Sequence, residues 1–485
     1  MDYFIGIDIG TTSTKAVAFN AAGTVLAQQA FHYAINHPLA DRSEQSPNEI
    51  WMAVLSGLQY LTGELPLHNP VLVSFSAAMH SLILMDKNNQ PITDCIIWAD
   101  NRANKLASEL KETEEGKSFY HLSGVPIHAM SPLCKIRWMK ENEASLFNNT
   151  ARFIGIKEYI FYQLFKTYTI DTAIASATGL LNSKTLQWDD AMLNYAGIDK
   201  TQLSEVVSTS AINFLAVEKI DNTLPGLAAF KQTAFIIGSS DGALANLGSG
   251  ATFEGSMAIT IGTSGAVRVV TNQPITDENM RSFCYHLNRE QYIIGGASNN
   301  GAVIIQWLKD NILKDTGSYQ NFLTMAQTVP AGCDGLLFLP YILGERAPIW
   351  NAAAKGVFFG LSIEHTNAHM IKAAMEAVVF NMYAIGKTIM EKKQIQIIYA
   401  NGGFTDTPFW IQLLSDMFAL PVYVPAIEES SAFGAVLIGF EALQLPNVFN
   451  PTIGKTYYPS VPNHLILQEQ FNKWQRLYNL IKEAF

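Results

Sequence analysis

Two short segments of this sequence combine the residue types that phosphate chemistry needs. The first is Gly10-Thr11-Thr12-Ser13-Thr14-Lys15, with Asp8 just ahead of it. A glycine lets the backbone come close to an oxyanion. Hydroxyls and backbone N–H groups can donate to it, and Lys15 would add positive charge. The run lacks the second glycine that a P-loop requires before its lysine. What remains is a hairpin turn that faces phosphate. Asp8 stands where a carboxylate can hold Mg²⁺, directly or through water, and equally where a strand-ending Asp forms a turn. The second segment, Ile261-Gly262-Thr263-Ser264, repeats Ile9-Gly10-Thr11-Thr12 in the other half of the chain.

Other residues carry chemistry less specifically. Asp241 lies in Gly238-Ser-Ser-Asp241-Gly242, between an apolar run and an Ala-rich one. A strand-to-helix turn is a place for an N-cap, and also for a general base at the mouth of a sheet. Trp98-Ala-Asp100-Asn-Arg102 sets a carboxylate and a guanidinium two residues apart beside an aromatic ring. Such a group can bind polyol hydroxyls or pair with itself. Met79 and His80 follow an apolar strand. Gly402-Gly403 sits between a strand and a helix, where a nucleotide could approach the backbone or where the chain simply turns, and Gly295-Gly296 and Gly301 raise the same choice.

The elements that must position these residues are legible as patterns. Tyr3–Ile9, Ala16–Phe19 and Val25–Gln29 read as strands joined by tight turns, a hairpin pattern. Ser46-Pro47-Asn48-Glu49 opens a helix with an N-cap, a proline at its first position and a capping box. Val71–Ser76 is a buried strand. Met257–Ile261 and Ala266–Val270 form a second hairpin around Gly262. A helix from His369, a strand Ile395–Ala400, a helix after Pro408, a strand Val422–Pro425 and a helix Ser430–Leu443 follow. The two GT(T/S) hairpins, one opening each half, predict two related α/β domains divided near 247/248.

The chain has 485 residues, 48% of them hydrophobic, which is ample for two cores. Lys plus Arg number 32 and Asp plus Glu 42, a net charge of −10. An acidic chain without a basic cluster is a poor partner for nucleic acid. The four cysteines, Cys95, Cys134, Cys284 and Cys333, stand singly, so neither a zinc motif nor a disulfide framework is expected. No apolar run approaches the ~20 residues of a membrane span. The N-terminus lacks the features of a signal peptide, and the expected compartment is the cytoplasm.

Taken together, these residues resemble the FGGY family of carbohydrate kinases over essentially the whole chain. Met130–Asn142 is similar to the family's first signature. Gly356–Leu361 followed by His369–Glu376 is similar to the second. The resemblance implies two RNase H-like domains of the actin type with an active-site cleft between them. The expected division is residues 1–247 for the sugar, the first phosphate loop and the catalytic Asp, and 248–485 for the nucleotide, with 449–485 as a C-terminal extension. It also implies ATP and Mg²⁺, and phosphoryl transfer to a sugar hydroxyl.

On that resemblance Asp241 is the catalytic base and a substrate contact, and Asp8 is the acidic, metal-linked residue. Thr11, Thr12 and Lys15 line the first phosphate loop, Gly262 and Thr263 the second. Gly301, Gly402 and Gly403 face the nucleotide. Met79 and His80 match a substrate-contacting loop. Ser76–Leu82, Trp98–Arg102, Gly124–His128, Ile154–Ile160 and Ala173–Gly179 are similar to the gluconokinases of Gram-positive bacteria, so the expected substrate is gluconate. Its carboxylate would need a cation or N–H donors, and His80, Arg102, His128, Lys157 and Arg346 are the candidates, with Asp100 beside them. The implied partners are then ATP and a sugar acid, and a homodimer is compatible with this reading. A kinase for xylulose or another sugar acid is the near alternative, and an actin-like nucleotide switch without turnover the distant one.

Overall fold

The computed structural model describes residues 2–216, 224–426, 429–446 and 453–485. They fall into two units. The first takes residues 2–216, 224–248, 271–293 and 429–446; the second takes 249–270, 294–426 and 453–485. The first long stretch of the first unit runs to residue 248, and two later segments rejoin that unit. One reason lies in the helix Ser430–Ala442. A Cβ on Gly6 would sit 2.2 Å from the Ala432 carbonyl oxygen, and one on Gly434 2.1 Å from that of Leu244. Glycines at these positions let the helix backbone lie directly on the strand Asp2–Ile9 and on the helix Asp241–Ser249. The sequence of Ser430–Ala442 marks a buried helix without saying which sheet it covers.

The first unit is built on a six-stranded sheet. Its strands are β1 (Asp2–Ile9), β2 (Ser13–Phe19), β3 (Val25–His32), β4 (Asn69–Ala77), β5 (Ile212–Asn213) and β6 (Ala234–Ser240), in the order β5-β6-β4-β1-β2-β3. β1, β4 and β6 are parallel neighbours; the other pairings are antiparallel. The parallel strands are buried almost end to end, as continuous apolar runs require. The edge strand β3 has no fully buried residue and mixes exposed with half-buried positions. The helix Pro47–Glu64 starts with the predicted cap and proline, Ser46 Oγ accepting from Glu49 N at 3.3 Å, without the reciprocal Glu49 bond of a capping box. It packs Ile50, Val54, Leu58 and Leu61 into the core with Ile5, Ile7 and Ala16.

The second unit repeats the opening motif. β7 (Ser256–Ile261) and β8 (Gly265–Thr271) form the predicted hairpin, and β9 (Ile397–Asn401) lies parallel to β7 as β4 does to β1. β10 (Val422–Pro425) follows in parallel and β11 (Ile453–Tyr457) pairs antiparallel to it. The helix Asn367–Met390 is buried along most of its length.

Of the expected C-terminal extension, residues 449–452 lie outside the described residues. The remainder is integral to the second unit. β11 completes its sheet, and the helix Val461–Ile481 buries Phe471 and Trp474 against Phe380. The Asp416 carboxylate accepts from Ser460 N and Asn463 Nδ2, each at 2.8 Å. No helix among the described residues is long and apolar enough to cross a membrane.

Candidate active site

Strand register brings the first group of predicted residues together. Asp8 on β1 is paired with Ser76 on β4, and Ser76 with Ser239 on β6. The C-terminal ends of the three parallel strands therefore coincide, the usual location of a ligand site in such sheets. Ser76 Oγ donates to Asp8 Oδ1 at 2.6 Å. Asp241 follows β6 directly and opens the helix Asp241–Ser249, where its Oδ1 accepts from Gly242 N at 2.6 Å. Two strand spacings separate Asp8 from the Asp241 strand, about 10 Å of backbone. Burial pushes the Asp8 carboxyl up to about 6, and the charges of Asp241 and Glu429 add to the rise, against the Ser76 hydrogen bond and Lys15.

The Gly10 turn is held from outside. Tyr33 OH donates to Gly10 O at 2.6 Å, Gln45 Nε2 to Thr11 O at 2.6 Å, and Trp98 Nε1 to Thr11 Oγ1 at 2.9 Å. Trp98 thus ties its own motif to this turn. Thr12 is exposed. Lys15 does not stand ready for phosphate. Its Nζ lies 2.9 Å from both carboxylate oxygens of Glu429.

The cations expected to meet a carboxylate are engaged internally. Asp100 is fully buried and grips Arg102 in a fork, Nε to Oδ1 and Nη2 to Oδ2 at 2.8 Å each, and Glu44 takes a further bond from Nη2. Only 2% of the Arg102 side chain is exposed. Of the two readings of Trp98–Arg102, the structure takes self-pairing. Lys157 is likewise 2% exposed and donates to Asp171 Oδ2 at 2.7 Å. Arg346, in the second unit, donates to Ser298 O at 3.2 Å.

His80 is buried with φ +67°, an uncommon conformation for a non-glycine residue. Its Nδ1 lies 2.8 Å from Ala177 O. A carbonyl can only accept, so Nδ1 carries a proton, and in the neutral imidazole Nε2 is an acceptor. Tyr285 OH lies 3.5 Å from that Nε2. His80 is therefore suited to a hydroxyl rather than to an anion. His128 has the opposite arrangement, because its Nδ1 accepts from Met130 N at 3.2 Å and Nε2 holds the proton. Met79 packs against Ile170, Ile174 and Leu181.

In the second unit Gly262, Thr263 and Gly403 line a cavity of about 410 Å³, with Ala302, Gln306, Phe404 and Trp410. Its size is that of a small-molecule site. A Cβ on Gly262 or Gly403 would meet nothing within 4 Å, so these glycines leave room. Gly301 and Gly402 are packed closely against the backbone. A Cβ there would lie 2.5 Å from the carbonyl oxygens of Ser264 and Ile261, and Gly402 has φ +98°. Among the described residues Trp410 Nε1 is buried without a hydrogen-bond partner, and the cavity walls carry no charged side chain. Such a lining suits a flat, neutral, polar ring. Among the described residues there is also no cluster of three or more metal-ligating side chains.

Sequence reasoning missed the groups that hold the predicted ones. Lys135 is completely buried; its Nζ donates to His80 O at 2.7 Å and Ile97 O at 2.8 Å, joining the Met79-His80 loop to the Trp98 loop. Burial pulls its ammonium down to about 7. A lysine on the buried face of the helix Pro132–Asn142 was the available signal. Asp171, Ser76 and Glu429 gave none beyond their position at element ends.

Comparison with known proteins identifies the family. Residues 3–248 match the model of the FGGY family of carbohydrate kinases, N-terminal domain, and 257–443 that of the C-terminal domain. A gluconokinase of Bacillus licheniformis is 40% identical, covering 99% of this chain and 94% of that protein. A xylulose kinase of Staphylococcus xylosus is 29% identical, covering 99% and 100%. The crystal structure of gluconate kinase from Lactobacillus acidophilus superposes with a TM-score of 0.94 at 32% identity, covering 99% of this chain and 98% of that one.

The Arg102 geometry has a measurable consequence. Arg102→Leu leaves the buried Asp100 carboxylate without its cation beside the partly exposed Glu44, and should lower stability in urea denaturation by about 3–5 kcal/mol. A loss under about 1 kcal/mol, within the range of an exposed pair, would return Arg102 to the set of substrate-binding cations.

Proposed function

Since the chain belongs to the FGGY family of carbohydrate kinases, we propose that the sugar it phosphorylates is D-gluconate, giving 6-phosphogluconate and ADP. The observation that carries this reading is the 40% identity to a gluconokinase over nearly the full length, against 29% to a xylulose kinase of equal coverage. Asp241 is the proposed general base. It stands at the end of β6, and a hydroxyl bound there could pass its proton to the carboxylate late in the transfer. Phosphoryl transfer needs mainly positioning and charge stabilisation, because its transition state is loose. The Gly10 and Gly262 turns are the proposed phosphate-facing loops. For Lys15 to join them, its pair with Glu429 must open.

The sugar-side reading changes with the internal pairing of Arg102 and Lys157. His80 would accept from a hydroxyl through Nε2. His128 would donate to the gluconate carboxylate through Nε2–H. Met79 would supply an apolar wall. The 410 Å³ cavity of the second unit is the proposed adenine site, with Trp410 Nε1 as a donor awaiting an acceptor.

Mg²⁺ fits this donor set. It keeps waters and binds through one or two carboxylates together with substrate phosphates, so a lone residue such as Asp8 is sufficient from the protein. The repulsion that Asp241 and Glu429 exert on Asp8 is what a cation there would relieve. When bound, the ion would neutralise charge on the terminal phosphates.

Asp241→Asn separates the base reading from a capping role. The amide oxygen can still accept from Gly242 N, so a cap predicts near-normal turnover. A base predicts a fall in kcat of roughly 10²–10⁴-fold with ATP binding intact. ADP release should be measured on gluconate, xylulose, glycerol and other sugar acids. Highest kcat/KM on xylulose would replace the substrate, and turnover of the Asp241→Asn variant close to that of the parent would remove the base.

The cavity gives a second expectation. Gly403→Leu should fold normally and raise KM for ATP by about tenfold or more, an effect of at least about 1.4 kcal/mol on nucleotide binding. Gly402→Ala should instead lose stability by about 1–3 kcal/mol, because the residue must keep a positive φ. Normal ATP kinetics in the Gly403 variant would place the adenine elsewhere.

A further inference from the structure

We propose that Lys157 is a positioning residue for Asp241, acting through the bulged end of β6. The inference rests on the reading of Asp241 as base.

β6 does not run evenly beside β4. Ile236 is paired with Ser74, but Ser239 is paired with Ser76, so three steps on one strand face two on the other. The extra residue re-aims everything that follows it. Gly238 absorbs it with φ +69°, and a Cβ there would sit 1.8 Å from the Phe75 carbonyl oxygen. The N–H groups of Ile237 and Gly238 turn to Ala211 O and Thr209 O, at 3.1 and 3.0 Å.

The carbonyls of this stretch meet Lys157. Its Nζ donates to Ile237 O at 3.1 Å, to Ser239 O at 2.9 Å and to Asp171 Oδ2 at 2.7 Å. An ammonium has three donors, and all three are engaged. Ser239 lies two residues before Asp241. Lys157 therefore fixes the far side of the bulge whose end carries the carboxylate.

The same pair also reaches the sugar side. The other oxygen of Asp171 accepts from Ala173 N at 3.1 Å and Ile174 N at 3.0 Å, starting the helix Thr172–Ser176. The carbonyl of Ala177, next in the chain, accepts from His80 Nδ1 at 2.8 Å. One buried ion pair thus sets Asp241 and His80 relative to each other. A base must lie within hydrogen-bond reach of the hydroxyl it serves, and a misplacement of about 1 Å costs on the order of 10² in rate.

Lys157→Met alone would strand the Asp171 carboxylate in the interior. The double variant Lys157→Met/Asp171→Asn removes both charges and keeps the cap through the amide oxygen. On the full chain, kcat and KM for gluconate and ATP should be measured together with amide hydrogen exchange over residues 236–242. The expected result is a kcat reduced by roughly 10–100-fold, KM for ATP within about threefold, and faster exchange in that segment. Unchanged exchange with kcat close to the parent's overturns the proposal, as does a loss carried only by KM. If the double variant does not fold, Lys157→Arg takes its place. A planar guanidinium cannot reproduce the three directions of the ammonium, so kcat should still fall by about tenfold, and a value close to the parent's overturns the proposal. A parent protein without turnover on any sugar would fail the kinase-base reading instead, and the exchange of residues 236–242 would then decide alone whether Lys157 holds them.

Discussion

The site in the first unit depends on one constraint: β1, β4 and β6 must end level with one another. Parallel pairing places Asp8, Ser76 and Ser239 in one row. An even ladder would not deliver Asp241 there, because β6 carries one residue more than its neighbour between Ser74 and Ser76. The surplus is taken up at Gly238, the one residue type that tolerates both its φ and the Phe75 carbonyl. The geometry of the site thus begins as a backbone problem. Side chains are then recruited to hold the solution.

Those side chains are mainly buried cations. The protein is acidic overall, yet Arg102, Lys135 and Lys157 all lie in the interior of the first unit. Their partners differ in kind. Arg102 meets two carboxylates, Lys157 a carboxylate and two carbonyls, and Lys135 backbone carbonyls. Burial lowers both lysine ammoniums, that of Lys135, held by carbonyls, to about 7. Desolvation of a charge is costly unless donors and acceptors are matched closely, so each cation is informative about where loops must be fixed. Lys135 and Lys157 each tie a segment next to a proposed substrate contact or base to the element behind it.

This explains what the sequence revealed and what it hid. Hairpins, helix starts and the repeated Gly-Thr turns were legible, because they follow from local chemistry: a Ser46 cap, a proline at the first helical position, alternating apolar runs. Asp8, Asp241 and the glycines were legible as candidates for the same reason. The partners of the cations were not. Arg102 and Lys157 have the residue types a sugar acid needs, and local sequence cannot say that their charges are answered from within. Asp171 lies 14 positions from Lys157 and Glu429 lies 414 from Lys15. The return of the Ser430–Ala442 helix to the first sheet was hidden likewise, since an apolar helix fits either core.

The two Gly-Thr hairpins show how one motif supports different work. In the first, Gly10 N bonds Ser13 O across the turn, and the residues around it are charged: Asp8, Lys15 and Glu429. In the second, Gly262 N bonds Ser264 O, one residue sooner, and the turn opens on a cavity whose described walls are uncharged. The Gly-Thr hairpin is common to both halves. What distinguishes the halves is the lining supplied by later parts of each unit. That lining includes Trp410 and Phe404, which pack edge to face at 5.9 Å, and a glycine at 403 whose missing side chain leaves the space open.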